Sequence, residues 1–256
     1  MSDTEGQIIQ GQSKTGAKDR AQEMAMDKGL RNFLIGIYQK MALGLVVTGG
    51  TAWAVAHSVF LLQLLYRTDG AGSITGYTLL GYVFLFAPLA LSFASGMFMR
   101  TLNVAMMAMF YWLFVAVMGV SLSSIVLLYT GASLATVFFI TAGAFGALSL
   151  AGYTTKINMS GWGTFLMMAV FGMIIASIVN VFFLKSGIMD MAISGIGVLI
   201  FSALIAYRTQ WLKQVYYQME GSHTGLAAMT YYGALTLYIS FINLFLSLLR
   251  LVGGRR

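Results

Sequence analysis

Five polar side chains recur at regular intervals along the last long apolar segment of the chain, Gly233–Arg250. The intervals are 4, 3, 4 and 3 residues, so at about 100° per residue all five stay within roughly 40° of one line along a helix. Inside a bilayer such a line of polar groups has two uses, hydrogen bonding between packed helices or lining the path of a solute. The spacing leaves both interpretations open. The five residues are Thr236, Ser240, Asn243, Ser247 and Arg250.

Acidic residues are missing from the segments where chemistry inside a membrane would need them. Of the eight acids, only Asp69, Asp190 and Glu220 lie beyond residue 27, and all three fall in predicted loops. Proton relays, cation sites and carboxylate catalysis in a membrane usually depend on an acid within the hydrocarbon. We therefore expect no carboxylate in the membrane interior.

The remaining metal-binding and nucleophilic residue types are sparse. The chain has no cysteine, and its two histidines, His57 and His223, are far apart and belong to no metal-binding spacing. We expect no metal site, no resident cofactor and no enzymatic activity. The net charge of +7 comes mostly from residues at the ends of apolar segments, so we expect contact with lipid headgroups and no nucleic-acid partner.

The composition requires an integral membrane protein. Hydrophobic residues make up 59% of the chain, charged residues 9%, and the mean hydropathy is +0.81, whereas soluble domains carry about 25% charged residues. We predict an all-α bundle of about seven transmembrane helices, because a bilayer offers the backbone no hydrogen-bond partners. Residues 1–28 are predicted to form a flexible polar tail and residues 29–256 the membrane domain. The predicted spans are Phe33–His57, Gly76–Met97, Asn103–Tyr129, Ser133–Gly152, Gly161–Leu184, Met191–Tyr207 and Leu226–Val252.

Basic residues at the ends of the spans predict the orientation. With the N-terminus in the cytoplasm, nine Lys and Arg residues fall on the inner side and five on the outer side, as the positive-inside rule favours. Arg100, Arg208 and Arg250 stand at membrane boundaries, where interfacial anchoring is the simplest role; Arg208 also continues an apolar helix directly into that boundary. In the fifth span, Ser177 and Asn180 share a face and are predicted to support helix packing.

Several stretches together resemble the Bax inhibitor motif family, also called TMBIM or Lifeguard-like, and its bacterial branch in particular. The similarity covers nearly all of residues 30–252. Five stretches carry it: Tyr38–Gly49, Gly119–Ile125, Phe145–Lys156, Ile205–Gln210 and Leu237–Phe245.

This resemblance implies a bundle in which six helices surround the seventh. It also implies a slow calcium leak that responds to pH through two hydrogen-bonded aspartates, one at the end of the sixth helix and one in the seventh. A carboxylate pair sharing a proton has one raised pKa, which places a switch near neutral pH. Family members are further linked with control of cell death and, in bacteria, with a membrane protease. A bacterial inner membrane is favoured over the endoplasmic reticulum.

The sequence departs from the family at both aspartates. The sixth-helix motif Tyr-Asp-Thr-Gln is here Tyr207-Arg208-Thr209-Gln210, and the seventh-helix Tyr-Leu-Asp-Phe-Ile-Asn is here Tyr238-Ile239-Ser240-Phe241-Ile242-Asn243. Serine does not ionise and arginine keeps its positive charge, so a carboxylate switch is not expected. Arg208 should also repel Ca²⁺ at the inner mouth.

Two functional hypotheses follow. The first is a Bax-inhibitor-like leak for calcium or another cation, whose pH gating by an aspartate pair is absent. The second is a non-conducting regulator that binds a membrane protease or another membrane complex, with the polar tail as a docking element.

Overall fold

The computed structural model describes residues 2–68, 74–99, 103–155, 157–219 and 221–254. Asp69, Arg100, Lys156 and Glu220, which entered the expectations above, lie outside these residues. The described chain is built of helices, with one short hairpin. In chain order the elements are α1 (Ser2–His57), α2 (Val59–Leu65), β1 (Tyr66–Thr68), β2 (Ile74–Tyr77), α3 (Leu79–Met99), α4 (Val104–Leu128), α5 (Gly131–Thr154), α6 (Trp162–Val179), α7 (Gly187–Gln218) and α8 (His223–Val252).

The predicted all-α membrane fold is confirmed. Among the residues that the structure describes, seven helical stretches are long and apolar enough to span a bilayer. They are Met26–His57, Leu79–Gly96, Val104–Leu128, Gly131–Thr154, Trp162–Leu184, Gly187–Gln218 and Thr224–Val252. The chain is therefore an integral membrane protein of α-helical type.

The second span begins at Leu79 and not at the predicted Gly76, because Gly76 lies in strand β2. Two other spans differ from the sequence-based bounds by more than four residues. The sixth was predicted to stop at Tyr207, but α7 continues to Gln218, because Leu212 and Val215 keep its buried face in the bundle core. The connection to α8 is correspondingly short. At the other end of the chain, the backbone is helical from Ser2, so the predicted tail is continuous with the first span. Its predicted flexibility stays a prediction.

The last helix lies at the centre of the bundle, as predicted. In its most apolar window 56% of the residues are buried, against 11–33% in the other six spans. It packs directly against α1, α4, α5 and α7, while α3 packs chiefly on α4 and α6 chiefly on α7. The fully buried side chains of Leu235, Leu237 and Tyr238 place α8 in the main hydrophobic core.

The connection between the first two spans is more ordered than the predicted loop. It contains α2 and an antiparallel hairpin that pairs Tyr66 with Tyr77 and Arg67 with Gly76. The Tyr66 hydroxyl is 2.8 Å from the Ser123 hydroxyl of α4, which ties the hairpin to the bundle. Burial raises the pKa of Tyr66.

The carboxyl end of α8 is attached to the turn between α4 and α5. The backbone N–H of Thr130 donates to the Gly254 carbonyl at 3.2 Å, and the Gly254 N–H donates to the Ser133 hydroxyl at 2.8 Å. Tyr129, Val137 and Leu249 form a small buried cluster beside these bonds.

Candidate functional site: the polar seam of the central helix

We call the line formed by Thr236, Ser240, Asn243, Ser247 and Arg250 the polar seam. Three of its side chains bond back to their own helix. Thr236 donates to the Gly233 carbonyl at 3.1 Å, Ser240 to the Thr236 carbonyl at 3.0 Å, and Asn243 to the Ile239 carbonyl at 2.8 Å. Thr236, Ser240 and Ser247 are buried, Asn243 is half-buried, and Arg250 is exposed in the last turn of α8.

The seam faces α7 at close range. A Cβ atom added to Gly197 of α7 would lie 2.7 Å from the Ser247 hydroxyl, and one added to Gly233 would lie 2.7 Å from a Leu212 methyl. Small residues at both contacts let the two helices approach closely. The Ser247 hydroxyl therefore lies in the packed contact between α7 and α8.

These two contacts also set the register between the antiparallel helices α7 and α8. In an antiparallel pair the residue numbers of facing residues have a constant sum, which is 444 for Gly197 with Ser247 and 445 for Leu212 with Gly233. The same sum places Arg208 level with Thr236, and Ser240 level with Leu204. The two residues that replace the family's aspartates are thus about one helical turn, or roughly 6 Å, apart along the bundle axis.

Arg208 does not meet Ser240 through a hydrogen bond among the described residues. Its Nη2 lies 4.0 Å from the Met167 sulfur of α6, a weak interaction at most. Its Nε is buried and has no hydrogen-bond partner in the described part of the chain. The guanidinium therefore sits in the α6–α7 contact.

A buried hydrogen-bond chain that the sequence did not indicate crosses the middle of the bundle. Thr48 of α1 donates to the Val115 carbonyl of α4 at 2.9 Å, and its hydroxyl is 2.6 Å from the Tyr238 hydroxyl of α8. Because the single Thr48 proton is used on Val115, Tyr238 must be the donor to Thr48. One threonine thus joins the three helices.

The other predicted polar pair, Ser177 and Asn180, makes hydrogen bonds near the end of α6. Ser177 donates to the Met173 carbonyl of its own helix at 2.8 Å. Asn180 begins a π-helical turn, Asn180–Leu184, and its amide pairs with the backbone of Ser186 at 3.1 and 3.2 Å. Lys185, at φ 48°, completes this tight turn. Asn180 thus stabilises the connection between α6 and α7.

Gln210 and Lys213 attach α7 to the connection between α5 and α6. The Gln210 amide accepts from the Met159 N–H and donates to the Ile157 carbonyl, both at 2.8 Å. Lys213 lies 5.0 Å above the Tyr153 ring and 3.5 Å from the Tyr153 carbonyl. Neither role could be assigned from the sequence, because both partners are more than fifty residues away.

We expect Gln210→Leu to speed amide exchange at Met159 about fivefold, since it removes the acceptor of that N–H, worth about 1 kcal/mol. Hydrogen exchange in detergent micelles followed by mass spectrometry measures this. Gln214→Leu, one turn further along α7, is the matched control, because Gln214 makes no bond to this connection among the described residues. Equal exchange rates in the two variants would contradict the assignment.

Charged and metal-binding groups are few near the seam. The described acids beyond residue 25 are Asp27 and Asp190, each within about one turn of the end of its span. His57 at the end of α1 stacks on Trp53, with its Nδ1 2.9 Å from the Trp53 carbonyl. Within the described residues no group of three His, Asp or Glu is placed to hold a metal ion.

The fold and the seam define a class of protein: a seven-span helical membrane protein built around its last helix. The chain belongs to the Bax inhibitor family, since the family model described as "Inhibitor of apoptosis-promoting Bax1" matches residues 30–256.

Bacterial relatives resemble the chain over nearly its whole length. An uncharacterized protein of Caulobacter vibrioides is 49% identical over 246 residues, which cover 96% of this chain and 97% of that one. Inner membrane protein YbhL of Escherichia coli K12 is 42% identical over 229 residues, covering 89% and 94%. Uncharacterized protein RP147 of Rickettsia prowazekii is 37% identical over 230 residues, covering 90% and 92%.

Proposed function

We propose that this protein is a weak cation leak of the Bax inhibitor family, with Ca²⁺ as a candidate ion, that lacks pH gating by a carboxylate pair. The observation that carries the proposal is the polar seam inside the central helix, which follows the α7–α8 contact through the bundle. Without a titrating group at residue 208 or 240, the permeability should not change between pH 6 and pH 8.

We further propose that the protein lies in a bacterial inner membrane with its N-terminus in the cytoplasm. The bias of Lys and Arg supports this orientation. The name of the Escherichia coli relative, an inner membrane protein, supports the location.

Calcium flux into proteoliposomes tests the leak. We expect a small flux above empty vesicles, equal at pH 6 and pH 8. The double variant Arg208→Asp with Ser240→Asp should make the flux differ between these two pH values, because two nearby carboxylates share a proton and one of them titrates near neutrality.

Each single substitution is the matched control, since a lone carboxylate has no partner with which to share a proton. A wild-type protein that gives no flux above empty vesicles at either pH would rule out the leak. A double variant whose flux stays the same at both pH values would show that the seam does not line the path.

The second candidate is a non-conducting regulator of a membrane protease or another membrane complex. The bonding of seam hydroxyls to their own helix and the close Gly197–Ser247 contact favour it, because they leave little room between α7 and α8. Photo-crosslinking from residues 1–28 in cells tests this role. Recovery of a membrane protein subunit supports it, and recovery of lipid or of the chain itself alone counts against it.

A further inference from the structure

A groove runs between α1 and α5 on the lipid-facing side of α8. These two helices flank α8 but touch each other little. Three adjoining cavities of about 540, 530 and 540 Å³ occupy the space between them. The first two share Tyr38 and Phe145, and the second and third share Gly49 and Phe241, so together they form one groove from Arg31 to His57. We call it the α1–α5 groove.

Aromatic rings form the floor of this groove. Phe241 of the central helix lies 5.7 Å from both Phe138 and Phe145 of α5, measured between ring centroids. Tyr38 of α1 meets Phe145 edge-on at 6.1 Å. The middle of the groove is apolar, and each cavity has the size of a typical small-ligand pocket. In a bilayer, such a space would be filled by hydrocarbon.

The end of the groove nearest the start of the first span is different, because it carries charge. Arg31 lines it and is exposed, two residues before the predicted start of the hydrocarbon at Phe33. Tyr153 lines it from α5, and Lys213 of α7 sits over the Tyr153 ring at 5.0 Å. Two cations therefore stand at headgroup depth. The nearest described acid on α1, Asp27, lies one turn earlier.

Ser149 lines the same end, one turn deeper than Tyr153. It is 6% exposed, and its hydroxyl is buried without a hydrogen-bond partner in the described structure. Thr141, two turns earlier on α5, instead bonds to the Val137 carbonyl at 2.7 Å. A buried polar group without a partner is costly and points to a group that completes it. Because Ser149 lines the groove, a ligand seated there would lie next to this serine.

We propose that the α1–α5 groove binds one anionic phospholipid. Its phosphate pairs with Arg31 and Lys213, the ester oxygens accept from Ser149, and an acyl chain lies over Tyr38, Phe145 and Phe241. The lengths agree, because one leaflet is about 15 Å thick and the helix rises about 16 Å from Arg31 to Ala42, which lines the second cavity. Arg31 and Lys213 are positively charged, so this end of the groove suits the negative phosphate of a lipid better than it suits a second apolar helix. The proposal is independent of ion conduction.

Native mass spectrometry of the detergent-purified full chain tests the site, with phosphatidylglycerol and phosphatidylcholine of identical acyl chains as probes. We expect one phosphatidylglycerol to be retained in preference to phosphatidylcholine. Arg31→Gln should weaken phosphatidylglycerol binding about tenfold, the effect of losing one charge-assisted hydrogen bond. Lys28→Gln, an exposed cation on the same helix that does not line the groove, is the matched control.

A second pair of variants places leucine at two glycines of α5, one inside the groove and one outside it. Added Cβ atoms at Gly146 and Gly143 both meet open space, but only Gly146 lines the groove. Gly146→Leu should reduce retention of phosphatidylglycerol at least tenfold, and Gly143→Leu should leave it within about twofold.

Three results would overturn the proposal. The first is equal lipid retention by Gly146→Leu and Gly143→Leu. The second is displacement of the lipid by soluble glycerol phosphate, which would identify a site for free phosphate. The third is a dimer of the wild type that Gly146→Leu converts to a monomer, which would identify a second copy of the chain as the occupant.

Discussion

Replacing Gly152 by leucine is expected to lower the free energy of unfolding by about 3 kcal/mol. An added Cβ at this glycine of α5 would meet the backbone of α7, with the Cα and carbonyl carbon of Ala206 each at 2.9 Å and the carbonyl oxygen closer still. Backbone atoms cannot rotate away as a side chain does, so the two helices must separate. Overpacking of this kind costs about 1–3 kcal/mol and occasionally more.

Steric trapping or thermal unfolding in bicelles measures this effect. Gly143→Leu is the control, because Gly143 lies on the same helix and an added Cβ there meets open space. Both variants gain the same helix propensity, so their difference isolates the contact with α7. Equal free energies of unfolding for the two variants would show that α5 does not approach α7 closely at Gly152.

Thr48→Val should destabilise the protein by about 2 kcal/mol, whereas Tyr238→Phe should cost under about 1 kcal/mol. Valine keeps the shape of Thr48 but leaves the fully buried Tyr238 hydroxyl without its acceptor. Phenylalanine removes a donor, and Thr48 still bonds to the Val115 carbonyl. The asymmetry follows from the cost of a buried polar group that loses its only partner.

The same unfolding assay compares the two variants, and the double variant Thr48→Val with Tyr238→Phe completes the cycle. Since the double variant leaves no orphaned hydroxyl in this chain, it should be more stable than Thr48→Val alone. A double variant whose loss of stability equals the sum of the two single losses would show that the two residues do not interact.

The spans and the central position of the last helix could be predicted from the sequence, for different reasons. Hydropathy alone gives the spans, because a bilayer requires runs of apolar residues. The family resemblance implied the central position of α8. The polar residues at intervals of 4 and 3 were consistent with it, since they require an inward face.

The partners of the polar residues could not be predicted. Ser240 and Asn243 bond to carbonyls of their own helix. The spacing of these residues along the sequence is the same whether they bond in this way or line the path of a solute. The hydrogen bonds of Thr48 could not be predicted, because its partners Val115 and Tyr238 are 67 and 190 residues away in the sequence. The hairpin was missed because each of its strands has only three or four residues.

The attachment of the α8 carboxyl end to the α4–α5 turn has a mechanical consequence. The hydrogen bonds at Thr130 and Gly254 fix the end of the central helix to the α4–α5 turn. Movement of α8 along its own axis would break these bonds and separate Leu249 from Tyr129 and Val137. Any conformational change should therefore leave α8 stationary against α4 and α5 and involve the helices that pack little on α8, which are α3 and α6. A reporter fused beyond residue 256 would then stay in place relative to α4 and α5, and one attached to α3 or α6 would report the movement.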